Sequence, residues 1–394
     1  MNLSLLDPKF ILLLALLALV RKCSPAKWSF VIGLTGSICL VGLSSIKTLV
    51  VITAITVFYL YPTHLLWVRL SKKQCGLRMP QLMLGASITG LILLLILFKI
   101  HRQFAAPFLG GLWVKDQFIA IIGFSYFVFR AINFLHIQSI IKFEEHHPFY
   151  LLYFMLFPPS LTSGPIQKYQ DFRQQLVAPE PVTTPVLKEA TYRVTRGYFR
   201  KLVVAYLLDQ GVSRLLHSSV INAYASLLTV AMLYLYFYYD FAGYSDVAIG
   251  FGGFMGIRVP ENFRKPFLAT SVTEFWRNWH ITLVDWFRDN VYVPMGGMQS
   301  SRLRASALAF LIMLLCGLWH GLTPSFLMWG CWHCCLLFSE GVTGSRPLAP
   351  SLRHGWPYWS RVLWTNGRVA LGTVFFLPDA NSALMLAKGL TRWF

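Results

Sequence analysis

His320 and His280 are the residues of this chain best suited by type and surroundings to move a proton. His320 closes the apolar run Ala305 to Trp319, in the string Gly317, Leu318, Trp319, His320, Gly321. An imidazole at the end or middle of an apolar span disfavours its charged form and stays a neutral base. With an ordinary pKa of about 6.5 it suits removal of a proton from an alcohol, a step worth roughly 10²- to 10⁴-fold in rate. His280 stands among Trp276, Trp279 and Trp286. Alone, such a histidine reads as a satisfied core residue; the second histidine is what makes a shared proton path the sharper reading.

Other chemistries have weaker support. Cys331, Cys334 and Cys335 would share a helix face, but His333 would point elsewhere, and no second cysteine pair stands at finger spacing. No metal is expected there. Haem held between two histidines needs axial ligands that face each other, which a sequence does not display. A dinucleotide loop starting at Gly250 meets Met255 where its third glycine belongs. A serine elbow at Gly243 to Val247 lacks the closing glycine. Gly243, Gly250, Gly252, Gly253 and Gly256 are read instead as a helix-packing surface, with GxxxG spacing from Gly252 to Gly256.

The elements that must position these residues carry unusual charge. Asp240, Asp246, Glu261, Glu274, Asp285 and Asp289 fall in one short stretch, interleaved with Arg258, Arg264, Lys265, Arg277 and Arg288. An ionisable group near the bilayer centre costs roughly 2.5 to 3.5 kcal/mol unless paired or wetted. Such groups are therefore kept for structure or for chemistry. Ser271 followed by Glu274 reads as a capping box that starts a helix. Continued past His280, that helix puts Phe275, Trp276, Trp279, Leu283, Trp286 and Phe287 on one face, with His280, and Glu274, Arg277, Asn278, Asp285, Arg288 and Asp289 on the other.

The whole chain belongs in a membrane. Of its 394 residues 56% are hydrophobic and only 13% charged, a balance that excludes both a soluble globule and a disordered chain. Apolar runs lie near 4–20, 28–45, 48–68, 80–98, 118–141, 148–163, 202–217, 222–239, 242–257, 304–319, 323–339 and 367–386. The expected fold is all-α: a polytopic membrane protein of about ten to twelve segments, some of them short re-entrant or interfacial helices. One membrane domain is expected over 1–394, with N-terminal spans in 1–117, a catalytic core in 118–340, and a loop and last span in 341–394. The last apolar segment is interrupted by Pro378, Asp379 and Asn381. The first run, followed by Arg21 and Lys22 instead of small residues, reads as an uncleaved anchor. The cysteines, Cys23, Cys39 and Cys75 included, read as thiols.

The formal charge of +19 first brings nucleic acid to mind, but the cations sit between apolar runs, where they fix orientation and face anionic lipid. Lipid is the expected partner, and nucleic acid is not. Arg21, Lys22, Lys27, Arg69, Lys72, Lys73 and Arg78 place their loops on the cytosolic side and the N-terminus outside. The Pro-rich 178–187 and the polar 341–366 read as loops outside the bilayer. Arg193, Arg196, Arg200 and Lys201 recur at helical spacing and read as a basic cytosolic surface. That surface would anchor to lipid or attract the phosphates of a coenzyme A or phosphopantetheine carrier.

Several strings, taken in order, resemble the membrane-bound O-acyltransferase family, and within it the bacterial branch that acylates exported polymers. They are GFSYFVFRAINF from Gly123, FPPSLTSGPIQKYQDF from Phe157, the long run from Asp240 to Gly297, GLWHG from Gly317 and FLMWGCWH from Phe326. Leu161, Val284 and Cys331 differ from what many members carry. The resemblance implies a multi-helix core, thin at its centre, with a path from the cytosolic to the outer face. It implies that His320 is the catalytic histidine and His280 the second histidine on that path. It implies no permanently bound cofactor. An acyl thioester, acetyl-CoA or an acyl carrier protein, would be the co-substrate on the cytosolic side.

On this reading His320 deprotonates an acceptor hydroxyl that attacks the thioester. Trp279, Trp319 and Asn278 are candidates for holding the oxyanion, and Asp285 and Arg288 complete the substrate-binding set. VYVPMGG at Val291 to Gly297 and MWGCWH at Met328 to His333 are most similar to the alginate-type O-acetylation branch. Acetyl transfer towards an exported polysaccharide at a bacterial inner membrane is therefore expected, with an extracytoplasmic acyltransferase as partner and no room for that domain in this chain. D-alanyl transfer to teichoic acid is the runner-up. A transporter or channel is the alternative of another class.

Overall fold

The computed structural model describes residues 8–72, 78–101, 123–138, 146–218, 222–344, 347–377 and 380–392. Lys73, Cys75, Pro378, Asp379 and both ends of the apolar run 118–141 lie outside the described residues. Among the described residues the regular elements are helical, apart from one isolated bridge between Phe263 and Trp279. In chain order they are α1 (Pro8–Cys23), α2 (Ser29–Ser44), α3 (Ile46–Lys72, with a π-helical turn at Thr56–Leu60), α4 (Arg78–Ile100), α5 (Phe124–Gln138), α6 (Pro148–Leu156) and α7 (Tyr169–Val177). Then come α8 (Thr184–Tyr198), which runs through a π-helical stretch into α9 (Tyr206–Leu216), and α10 (Ala223–Phe254). The remainder are α11 (Val272–Asn278), α12 (Ile281–Phe287), α13 (Arg302–His320), α14 (Pro324–Thr343), α15 (Gly355–Gly372) and α16 (Ala380–Gly389).

Four of these helices, Ile46–Lys72, Met79–Ile100, α10 and α13, are long and apolar enough to cross a membrane. Two expected segments, 222–239 and 242–257, merge into the single 32-residue α10. The sequence is polar at Asp240, but that carboxylate pairs with Lys201, so the helix has no reason to break there. The expected loop 341–366 contains the first part of α15. Its buried residues Tyr358, Val362, Thr365 and Val369 recur at helical spacing, a periodicity that the surrounding polar residues conceal.

The chain divides into two compact units. In the first, Met1–Arg196 with Tyr244–Pro260, the rings of Tyr153, Phe154 and Phe157 surround Phe172 at centroid distances of 5.2 to 5.4 Å. Gly250 packs against a neighbouring helix as the sequence predicts, since a Cβ there would stand 2.7 Å from the carbonyl of Ala190 in α8. Gly252 makes room for the chain that follows its own helix, a Cβ there standing 2.7 Å from the Ile257 carbonyl. Gly256 has a different task, ending the helix at φ +66.

The basic face of α8 is corrected by this unit. Arg193 donates from Nη1 to Oδ1 of Asp246 at 3.0 Å, and Arg196 from Nε to Oδ2 at 2.9 Å. Asp246 is buried. Both cations turn inward because an acid on the neighbouring stretch of α10 needs a counter-charge, an arrangement that helical spacing alone does not reveal.

In the second unit, Gly197–Gly243 with Glu261–Phe394, α13 and α14 form a close hairpin. A Cβ on Gly317 would meet the Phe326 carbonyl at 2.5 Å, and one on Gly330 would meet the Met313 carbonyl at 3.1 Å. Around it Val230, Tyr234, Val272, Phe275, Leu336 and Val369 share one core. Asn366 of α15 ties this core together, accepting from the Tyr234 hydroxyl at 2.8 Å and donating to the Phe267 carbonyl at 3.0 Å.

Removing one partner of a buried ion pair strands the other charge and costs on the order of 3 kcal/mol. Asp246→Ala should therefore lower the melting temperature of the detergent-solubilised protein by several degrees. Asp246→Asn, which keeps an acceptor oxygen, should lose less.

Candidate functional site

The site is built on two short helices and the hairpin. α11 starts as the capping box predicts, with Ser271 Oγ accepting the Glu274 N–H at 3.1 Å. The Glu274 carboxylate reaches back to the Thr270 N–H at 2.8 Å and the Thr270 hydroxyl at 2.9 Å, and pairs with Arg353 at 2.6 Å. The two remaining donors of the first turn belong to Glu340 of α14, whose oxygens accept the N–H groups of Val272 at 2.7 Å and Thr273 at 3.0 Å.

The single helix expected through His280 is broken. α11 stops at Asn278, Trp279 is extended, and His280 adopts the left-handed conformation at φ 46, ψ 49. The reason lies in the neighbouring strand-like segment. Arg264 donates its N–H to the Asn278 carbonyl at 3.0 Å, Ile281 donates to the Asn262 carbonyl at 2.9 Å, and the Thr282 hydroxyl donates to Asn262 Oδ1 at 2.7 Å. These contacts replace the helical bonds that the turn gives up. α12 then starts in a new direction.

The turn delivers His280 into a closed aromatic pocket. Its ring meets Phe241 edge to face at 4.6 Å, the residue is only 5% exposed, and Nε2 has no hydrogen-bond partner among the described residues. Burial, with a smaller contribution from the nearby His320, pushes the His280 imidazole down to about 3. Trp319 stands with its ring 6.5 Å from His280 and 4.6 Å from His320. His320 caps the end of α13, flanked by Trp329 and Phe376 at 5.2 Å each and by Phe326 at 5.8 Å.

The structure thus brings His280, Trp319 and His320 together. One expectation is corrected: His320, read as sheltered by its apolar span, is exposed, whereas His280, read as lying on an apolar face, is buried. As the last residue of α13 before Gly321, His320 projects off the helix end and keeps an open side. Trp279 stacks on Phe275 at 5.3 Å and lies parallel to Tyr234 at 6.4 Å. The Asn278 amide donates to its own helix, at the Glu274 carbonyl, at 2.8 Å. Asp285 and Arg288 pair with each other at 2.6 Å, and Arg288 with Asp289 at 2.8 Å, all partly exposed.

Three residues of this neighbourhood were not singled out for it by the sequence. His333 packs edge on against Trp276 at 5.0 Å and lies 4.9 Å from the Trp329 ring, which in turn touches His320. Trp329 and His333 are spaced i, i+4 on α14, so they share a face; weighing His333 only against the cysteines hid that relation. Space for it comes from Gly372, where a Cβ would stand 2.6 Å from His333 Nε2.

The described residues form a helical protein with several apolar helices, in which an exposed and a buried histidine flank one tryptophan. The chain is a member of the membrane-bound O-acyltransferase family, whose model matches residues 94–365. Over 230 residues it is 34% identical to the protein named "Probable alginate O-acetylase AlgI" of Pseudomonas syringae pv. tomato, covering 57% of this chain and 43% of that one. It is 30% identical to the teichoic acid D-alanyltransferase of Bacillus subtilis over 233 residues, 56% of this chain and 58% of the relative. It is 32% identical to the peptidoglycan O-acetyltransferase of Helicobacter pylori over 247 residues, 60% and 45% of the two chains. The matched stretch spans about half the length of these relatives.

A buried histidine whose folded pKa lies below the unfolded 6.5 binds its proton more readily when unfolded, so stability rises with pH and is lost as pH falls from about 6.5 towards 3. This group alone should account for about 2 to 3 kcal/mol of the stability lost between pH 7 and pH 4.5. Denaturation at the two pH values should show that His280→Gln flattens the difference.

Proposed function

We propose that the protein is an O-acyltransferase that moves an acetyl group from a cytosolic thioester towards a hydroxyl of an exported cell-surface polysaccharide or its extracytoplasmic acceptor protein. The observation that carries the reading is the exposed His320 with Trp319 linking it to buried His280. Family membership and relatives named for O-acetylation of alginate and of peptidoglycan support the choice of group.

In the reaction His320 accepts the hydroxyl proton as the alcohol oxygen attacks the thioester carbonyl carbon. The tetrahedral intermediate then collapses, the C–S bond breaks, and the departing thiolate takes the proton back from the imidazolium. His280 cannot share this work as a cation, since its pocket holds it neutral; it serves as a fixed neutral dipole beside Trp319. A general base must be reachable by both the donor and the acceptor, and of the two imidazoles His320 is the one with an open side. Trp319 and Trp279 are candidates for steadying the oxyanion. The donor is acetyl-CoA or an acyl carrier protein, no cofactor is held permanently, and a separate extracytoplasmic acyltransferase completes delivery. The setting is a bacterial inner membrane.

The D-alanyltransferase relative favours one competing reading, D-alanyl transfer from a carrier-protein thioester to teichoic acid. Purified protein in lipid nanodiscs, supplied with either radiolabelled donor and a polyol acceptor, separates the two. Acetyl incorporation that falls at least about 100-fold in His320→Ala at equal abundance is the expected result. D-alanine incorporation without acetyl incorporation would overturn the choice of acyl group, and full activity of His320→Ala would overturn the mechanism.

A further inference from the structure

Glu340 is 5% exposed and sits near the C-terminal end of α14. Its Oε1 accepts from Val272 N–H at 2.7 Å, and its Oε2 accepts from Thr273 N–H at 3.0 Å and from the Thr273 hydroxyl at 3.1 Å. Arg368 of α15 lies 3.5 Å from Oε1 and supplies a counter-charge. With Ser271 accepting the Glu274 N–H, the first three donors of α11 are each met, and two of them are met by a residue of a different helix.

What this arrangement links matters more than the cap itself. α11 runs directly into Trp279 and His280. α14 carries Trp329, which packs on His320, and is locked to α13 at Gly317 and Gly330. One carboxylate therefore ties the segment bearing His280 to the hairpin bearing His320. A non-glycine residue in the left-handed region costs on the order of 1 to 3 kcal/mol and persists only where its surroundings over-determine it. Asn262 holds the chain just after His280, and Glu340 holds the start of the short helix just before it.

We infer that Glu340 is a positioning residue that sets His280 against Trp319 and His320, with no acid or base role of its own. The inference rests on the acyl-transfer reading. It assigns Glu340 an effect on turnover separate from substrate affinity, because a displaced neighbour of the reacting groups costs rate more than binding.

The test compares Glu340→Ala, Glu340→Gln and Val272→Pro in nanodiscs, with acetyl thioester and a polyol acceptor. Proline is tolerated at the first helical position and removes one of the two backbone donors without touching Glu340. For Glu340→Ala, kcat should fall about 10- to 100-fold with KM for the thioester within about twofold. Glu340→Gln, which keeps one acceptor oxygen, should fall less, and Val272→Pro should lose roughly 3- to 10-fold.

A second readout needs no turnover. Carbethoxylation of His280 by diethyl pyrocarbonate, followed by mass spectrometry, should be at least about fivefold faster in Glu340→Ala than in the wild type. His146, buried in the other unit, should be unchanged. Wild-type kcat and unchanged His280 protection in the Glu340 variants, with His320→Ala inactive, would overturn the positioning role and leave acyl transfer standing. Losses of kcat that match a loss of folded protein, with Val272→Pro behaving as wild type, would also overturn it. Normal acyl transfer by His320→Ala would instead sink the reading on which it rests.

Discussion

A backbone N–H group buried away from water must find its acceptor within the protein, and every short helix begins with several of them. That constraint explains more of the second unit than any catalytic requirement does. α11 is only seven residues long, too short to be stable by itself, and it exists because a hydroxyl and a carboxylate take up its leading donors. A long spanning helix buries most of its backbone in its own ladder. A site assembled from one-turn and two-turn pieces has to bring its acceptors from elsewhere in the chain.

This also explains where the acids are. Asp240, Asp246, Glu274, Asp285 and Asp289 each meet a cation, and Glu274 caps backbone as well. A cluster that looked as much like chemistry as like structure is thus mostly a set of counter-ions and caps. In a poorly solvating environment such pairs chiefly avoid the penalty of a stranded charge, and their worth lies in specifying which segments lie side by side. His280 and His320 are surrounded instead by aromatic rings, which carry little desolvation penalty.

How much was legible beforehand follows the same division. Local signals read correctly where a single residue type sets the outcome: Ser271 as a cap, Gly250 as a packing position, His320 at the end of α13. The family strings pointed to the two histidines, and the structure adds Trp319 as their shared neighbour. What failed was continuity. The break at Trp279 depends on Asn262 and Arg264, residues whose bonds to the turn no periodicity announces, and the uninterrupted α10 depends on Lys201 reaching Asp240. The inward turn of Arg193 and Arg196 and the reach of Glu340 are likewise long-range pairings. They are set by which helices become neighbours, and that is settled by the fold as a whole.

Gly317 and Gly330 leave no side-chain layer between α13 and α14, so the two backbones touch. Such a joint has nothing soft in it to compress or slide, and the hairpin behaves as the stationary jaw of a clamp. Any rearrangement within this unit therefore leaves the bearing of His320 on Trp329 in place, and compliance has to be sought in the lighter pieces that meet the hairpin from outside.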